Sequence, residues 1–186
     1  TPSCLQAESD LLQQVHHPHP HPNIVTWAGL EGNNLYTHWA GELNFFEYFM
    51  THCTGIISEE DLKLKYFRQM VKAVDHPNSQ GILHLDVKMD NFIIDDGRKV
   101  VKLCDFGHAA IRNRLGTIKH TAPERMVSYA QERGDHEAGR PSSMRKLTED
   151  EYSSWRFKKV DVWSLGIILY LCLVGEFPFL HDNDAA

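Results

Sequence analysis

The run His84-Leu85-Asp86-Val87-Lys88-Met89-Asp90-Asn91, with Cys104-Asp105-Phe106-Gly107 a short way on, gathers carboxylates, a carboxamide and an ammonium group. Phosphoryl transfer needs these groups: a carboxylate to accept the nucleophile's proton, oxygen ligands for Mg2+, and a cation near the phosphate in flight. Taken singly, Asp86, Asn91 and Asp105 would read as turn residues, because Asp and Asn hydrogen-bond nearby backbone. Cys104 reads first as a small buried hydrophobe and only second as a reactive thiol. His16, His17, His19 and His21 could ligate Zn2+ or Ni2+ through imidazole, yet the interleaved prolines deny them a fixed geometry. Ser142 and Ser143 beside Arg140 could be phosphorylated, as exposed serines often are.

These residues need elements to hold them. Leu5, Glu8, Leu11, Leu12 and Val15 recur at helical spacing, which predicts a helix over 5–16 that ends before Pro18. The tract His16-His17-Pro18-His19-Pro20-His21-Pro22 must be an extended loop, because proline fixes φ and removes backbone donors. Ile24-Val25-Thr26-Trp27 and Leu35-Tyr36-Thr37 predict two antiparallel strands, with Gly29, Gly32, Asn33 and Asn34 between them. Ser58-Glu59-Glu60-Asp61 resembles a capping box, and Leu62, Tyr66, Phe67, Met70, Ala73 and Val74 carry a helix that Pro77 should stop. Phe92-Ile93-Ile94 and Val100-Val101-Lys102-Leu103 around Asp95-Asp96-Gly97-Arg98 predict a hairpin over 92–103. Residues 130–151 are almost free of apolar side chains and read as a surface insertion, placed at about 126–150. Val160 to Val174 is apolar nearly all round, as in a buried helix.

Composition sets the outer limits. The chain has 186 residues, 42% of them apolar and 24% charged, a balance typical of one globular unit. Its formal charge of −6 argues against a nucleic-acid-binding module, which would need a basic face. Cys4, Cys53, Cys104 and Cys172 form no C-x-x-C pair, so neither a disulfide framework nor a thiolate zinc site is indicated. The longest apolar run, 162–174, is too short to span a bilayer, and no signal peptide is visible. The cytoplasm or nucleus is the expected compartment.

The first run, the Asp105-Phe106-Gly107 tripeptide and Ala122-Pro123-Glu124 stand in the order of the catalytic loop, magnesium-binding and activation-segment motifs of eukaryotic protein kinases, which the chain therefore resembles. The resemblance implies an α+β, two-lobed fold that is incomplete here. Residues 1–40 would be the end of the small lobe, and 41–186 most of the core of the mainly helical large lobe. It implies ATP and Mg2+ as cofactors, protein substrates bearing Ser or Thr, and a serine/threonine-kinase activity. Asp86 would accept the substrate hydroxyl proton and Lys88 would steady the γ-phosphate. Asn91 and Asp105 would hold Mg2+, and Ile93 would lie under the adenine ring. Glu8, counted back from His21-Pro22-Asn23-Ile24-Val25, would pair with a strand-three Lys, and Leu12 would face Phe106. Asp161, in Asp161-Val162-Trp163-Ser164-Leu165-Gly166, would brace the catalytic loop.

The chain also departs from the family pattern. Leu85 replaces an Arg that clamps an activation-loop phosphate, and 108–115 holds no Ser, Thr or Tyr, so activity independent of phosphorylation there is expected. His120 stands where Tyr is usual and Asn78 where His is usual. The family's glycine-rich loop and strand-three Lys lie before the helix of Glu8, and the partner of Glu124 lies beyond 186. The 186 residues alone are therefore expected to bind ATP weakly and turn over poorly. The rival reading is an inactive pseudokinase serving as a scaffold.

Overall fold

The computed structural model describes residues 4–52, 58, 62–95, 97–109, 122 and 159–179. Helix α1 spans Cys4–Val15 and turns Leu12 and Val15 inward, as its spacing predicts. Ser9 Oγ on the same face accepts a 2.9 Å hydrogen bond from Trp27 Nε1. The His-Pro tract that follows is a loop, and its imidazoles are used as struts. His16 Nδ1 accepts the His21 N–H at 3.1 Å, and His16 Nε2 donates to the Val25 carbonyl at 2.8 Å. The His21 ring stacks on His76 with centroids 4.6 Å apart. Two of the four candidate metal ligands are thus committed to holding the chain itself.

Strand β1 is Trp27–Glu31 and pairs antiparallel with β2, Asn34–Thr37. The first strand lies further along the chain than its β-prone residues predict. Ile24 instead forms a parallel bridge to Leu103, with Val25 N donating to Leu103 O at 2.9 Å and Leu103 N to Asn23 O at 2.8 Å. Burial explains the shift: Ile24 and Val25 enter the core, whereas the β1–β2 hairpin is half-exposed throughout. Gly29 sits at a bulge inside β1, and Gly32, at φ 57°, makes the turn.

A second, antiparallel sheet has the order β3 (Leu43–Asn44), β4 (Phe92–Asp95), β5 (Val100–Leu103). The 92–103 hairpin therefore forms where it is predicted. Helix α2, Phe45–His52, follows β3 directly and buries Phe45, Tyr48 and Phe49. A π-helical turn at Leu62–Phe67 runs into α3, Arg68–Ser79. Ser58 is described but Glu59 to Asp61 are not, so the expected capping box lies outside the described residues. Pro77 does not stop α3. In the last turn it forfeits a single intrahelical bond, and its ring is buried in compensation.

The last described helix, α4, is Val160–Val174. Gly175 closes it at φ 86°, donating to Leu171 O at 2.8 Å in a left-handed cap. One apolar core joins α1, α2, α3, β4, β5 and α4 through Leu12, Phe45, Met70, Phe92, Leu103 and Ile168. No helix among the described residues is long and apolar enough to cross a membrane. The insertion at 126–150 and the 110–115 stretch lie outside the described residues.

Candidate active site

The loop between α3 and β4 is fastened at its base by Asp161 of α4. Its carboxylate is wholly buried and accepts His84 N at 2.8 Å and Leu85 N at 2.9 Å. Asn78 joins it, its side-chain nitrogen donating to Asp161 Oδ2 at 3.0 Å and to Ile82 O at 2.9 Å. The Asn that departs from the family pattern thus ties α3 to the same anchor. Leu85 takes φ 65°, a costly conformation for a branched side chain, and its amide bond to Asp161 helps hold it there. Its side chain packs with Ala122 and Val160, so the position where kinases often carry a phosphate clamp is apolar and buried here.

His84 carries the anchor onward. Burial holds its imidazole well below the usual histidine pKa, against the pull of Asp161. The neutral ring places Nε2 3.0 Å from Cys104 O, and since a carbonyl only accepts, Nε2 bears the proton. The ring also meets Phe106 edge to face at 4.9 Å. Cys104 N in turn donates to Asn91 O at 2.9 Å, so the segment leading to Asp105 is fixed on both sides. Burial, with Asp105 and Glu8 nearby, pushes the Cys104 thiol up to about 12. It packs as a protonated group and offers no thiolate.

A 3-10 turn at Met89–Asn91 then brings the polar side chains together. Asn91 Nδ2 donates to Asp86 O at 2.8 Å and to Asp86 Oδ2 at 3.1 Å. Lys88 Nζ lies 3.0 Å from the same Oδ2. Asp86 is 4% exposed, so water does little to screen its charge and the two donors meet it directly. Asp105, exposed and at φ 60°, accepts Gly107 N at 3.2 Å through Oδ1. His108, which sequence reasoning treated only as one residue of a loop without phosphosites, brings Nδ1 to 3.7 Å from Asp86 Oδ2. The signal for it was an imidazole directly after Asp105-Phe106-Gly107.

Glu8 approaches from α1. The Phe106 amide hydrogen-bonds its carboxylate, while burial and then the charge of Asp105 raise its pKa. A Cβ on Gly107 would stand 3.2 Å from Asp105 Oδ1 and 3.3 Å from Glu8 Oε2, so a larger residue would press the two carboxylates back by a few tenths of an ångström. Glu8, Leu12, Asp105 and Phe106 line a cleft of about 550 Å3 together with Val25 and the β2 strand. Leu12 and Phe106 thus share one cavity, as the resemblance implies. Ile93 does not line it. It is half-buried on β4, opposite Asn44 and Lys102. Asp86, Lys88, Asn91 and Asp105 are therefore brought together, Glu8 reaches Asp105 from across the cleft, and Ile93 stands apart.

Comparison with known proteins adds to this geometry. The family model "Protein kinase domain" matches residues 2–186. The human SNF-related serine/threonine-protein kinase is 29% identical over 176 residues, covering 89% of this chain and 20% of that protein. The Arabidopsis thaliana serine/threonine-protein kinase SRK2G is 32% identical over 176 residues, covering 88% of this chain and 42% of that protein. CBL-interacting protein kinase 31 of Oryza sativa subsp. japonica is 31% identical over 182 residues, with 89% and 34% covered. The chain spans less than half the length of these relatives. A family match over nearly its whole length, with the motif residues clustered as described, places the chain in the protein kinase domain family.

Proposed function

We propose that the protein carrying this chain phosphorylates Ser or Thr hydroxyls of protein substrates with Mg2+ and ATP. The observation that carries this reading is Asp86, buried, held by Asn91 and Lys88, and within reach of Asp105. The relatives named as serine/threonine kinases support the substrate class, as does Lys88 two residues after Asp86. The division into a small-lobe part, 1–40, and a large-lobe part, 41–186, belongs to the same proposal. It accords with a β1–β2 hairpin separate from the β3–β4–β5 sheet.

The donor set suits a hard cation. Asn91 spends its nitrogen on Asp86, which leaves Oδ1 as its oxygen ligand, and Asp105 presents an exposed carboxylate. Mg2+-bound ATP supplies the transferable phosphoryl group and spreads its charge. Asp86 accepts the proton of the incoming hydroxyl, oriented by the Asn91 bond. Lys88 sits beside Asp86 and places its positive charge where the phosphoryl group passes. Glu8 and Asp105, two acids near enough to raise the pKa of Glu8, favour a cation between lobe and loop. The cleft between α1 and β2 receives the nucleotide, with Leu12 and Val25 as apolar contacts.

The test is transfer of label from γ-labelled ATP by the intact protein, followed by phosphoamino-acid analysis of mixed peptide substrates. Label on Ser and Thr but not Tyr is expected. Mg2+-dependent nucleotide binding with no transfer would instead favour a scaffold that has kept its nucleotide site.

A further inference from the structure

The side chain following Gly107 gives the site a donor of a different kind. One ligand atom each of Asp86, Asp105 and His108 lies within 4.8 Å of the others. Ligands bound to one small cation at about 2.1 Å can stand up to roughly 4.2 Å apart, so a modest turn of one side chain closes the set. His108 is 47% exposed on its side chain, which gives an ion access from solvent. Among the described residues this is the one such grouping of three. Imidazole is a poor partner for Mg2+ but a good one for Zn2+, Co2+ and related ions, for which one nitrogen and two carboxylates make a competent site.

We propose that Asp86, Asp105 and His108 form a binding site for a borderline transition-metal ion, which shares Asp105 with the magnesium site and adds the His108 imidazole. An ion held there ties up the carboxylate assigned as proton acceptor. On the kinase reading, micromolar Zn2+ therefore inhibits, and this consequence alone rests on that reading.

The binding itself is read without turnover. Co2+ titrated into the full chain in excess Mg2+ is expected to give visible absorption bands of nitrogen and oxygen ligation. His108→Ala is expected to weaken that binding by about tenfold or more, and His108→Gln likewise, each with an unchanged circular dichroism spectrum. His19→Ala, in the His-Pro tract, is expected to leave it unchanged. Unaltered Co2+ affinity in both His108 variants overturns the proposal, as does loss in His19→Ala alone, which moves the ion to the tract. Intact, His108-dependent Co2+ binding in a protein that transfers no phosphate sustains the metal site while sinking the kinase reading.

Discussion

Both oxygens of Asp161 accept loop amides, from His84 and Leu85, on a side chain with no exposure. Removing that acceptor leaves two buried N–H groups unpaired, and Asp161→Ala is expected to cost about 3 kcal/mol in urea unfolding. A cost below the range of an ordinary surface substitution would mean that the loop is held by something else. Leu85 makes a second case. Arg at this position would have to bury its charge against Ala122 and Val160. Leu85→Arg is therefore expected to destabilise by several kcal/mol and to confer no dependence on phosphorylation, which denaturation and a phosphatase treatment would show together. That Asp86, Asn91 and Asp105 meet was legible in the sequence, because motif order implied it where residue type alone did not. The partners of Ile93 were not, since a strand's inward and outward faces depend on register, and register is set by β3 and β5 on either side.

Helix α2 shows what the sequence offered and a hydrophobic-period reading missed. Asn44 Oδ1 accepts Glu47 N at 2.8 Å while Glu47 Oε2 accepts Asn44 N at 3.1 Å, a reciprocal cap at Asn-x-x-Glu. Asn44→Ala is expected to cost about 1 kcal/mol of stability, seen as a lower unfolding midpoint without change in the slope; an unchanged midpoint would deny the cap its part. The predicted hairpin at 92–103 and helix at 160–174 form as their residues indicate, because turn chemistry and all-round apolarity act locally. The first strand shifted because Ile24 and Val25 found a partner in Leu103, far along the chain. Such pairing is a tertiary event that local β-propensity cannot see. Pro77 likewise ended nothing, since a last-turn position removes the penalty that made it a stop signal.

Across the whole molecule, buried imidazoles link stability to acidity. Burial, then the nearby His76, His16, Lys72 and Lys102, lowers the His21 pKa from 6.5 to about 4. His16 and His84 are lowered as well. Each binds fewer protons folded than unfolded, so each contributes stability at neutral pH that is lost on acidification; for His21 the contribution is full above pH about 6.5 and is lost as pH falls toward 4. Glu8, raised, works in the opposite sense across the carboxylate range. Unfolding midpoints are expected to drop through that interval. His21→Phe, which keeps a ring on His76, should flatten the drop, and an identical pH profile would remove His21 from the account. At this scale the sequence carried the order of motifs and the length of the chain, while the Glu8–Gly107–Asp105 approach and the position of His108 arose only from folding. The central claim, that Asp86 is the proton acceptor in a phosphoryl transfer, is tested most directly by steady-state kinetics of Asp86→Asn in the intact protein. The account predicts a fall in kcat of about 10³-fold with KM for Mg2+-bound ATP nearly unchanged. A kcat within a few-fold of wild type would contradict it.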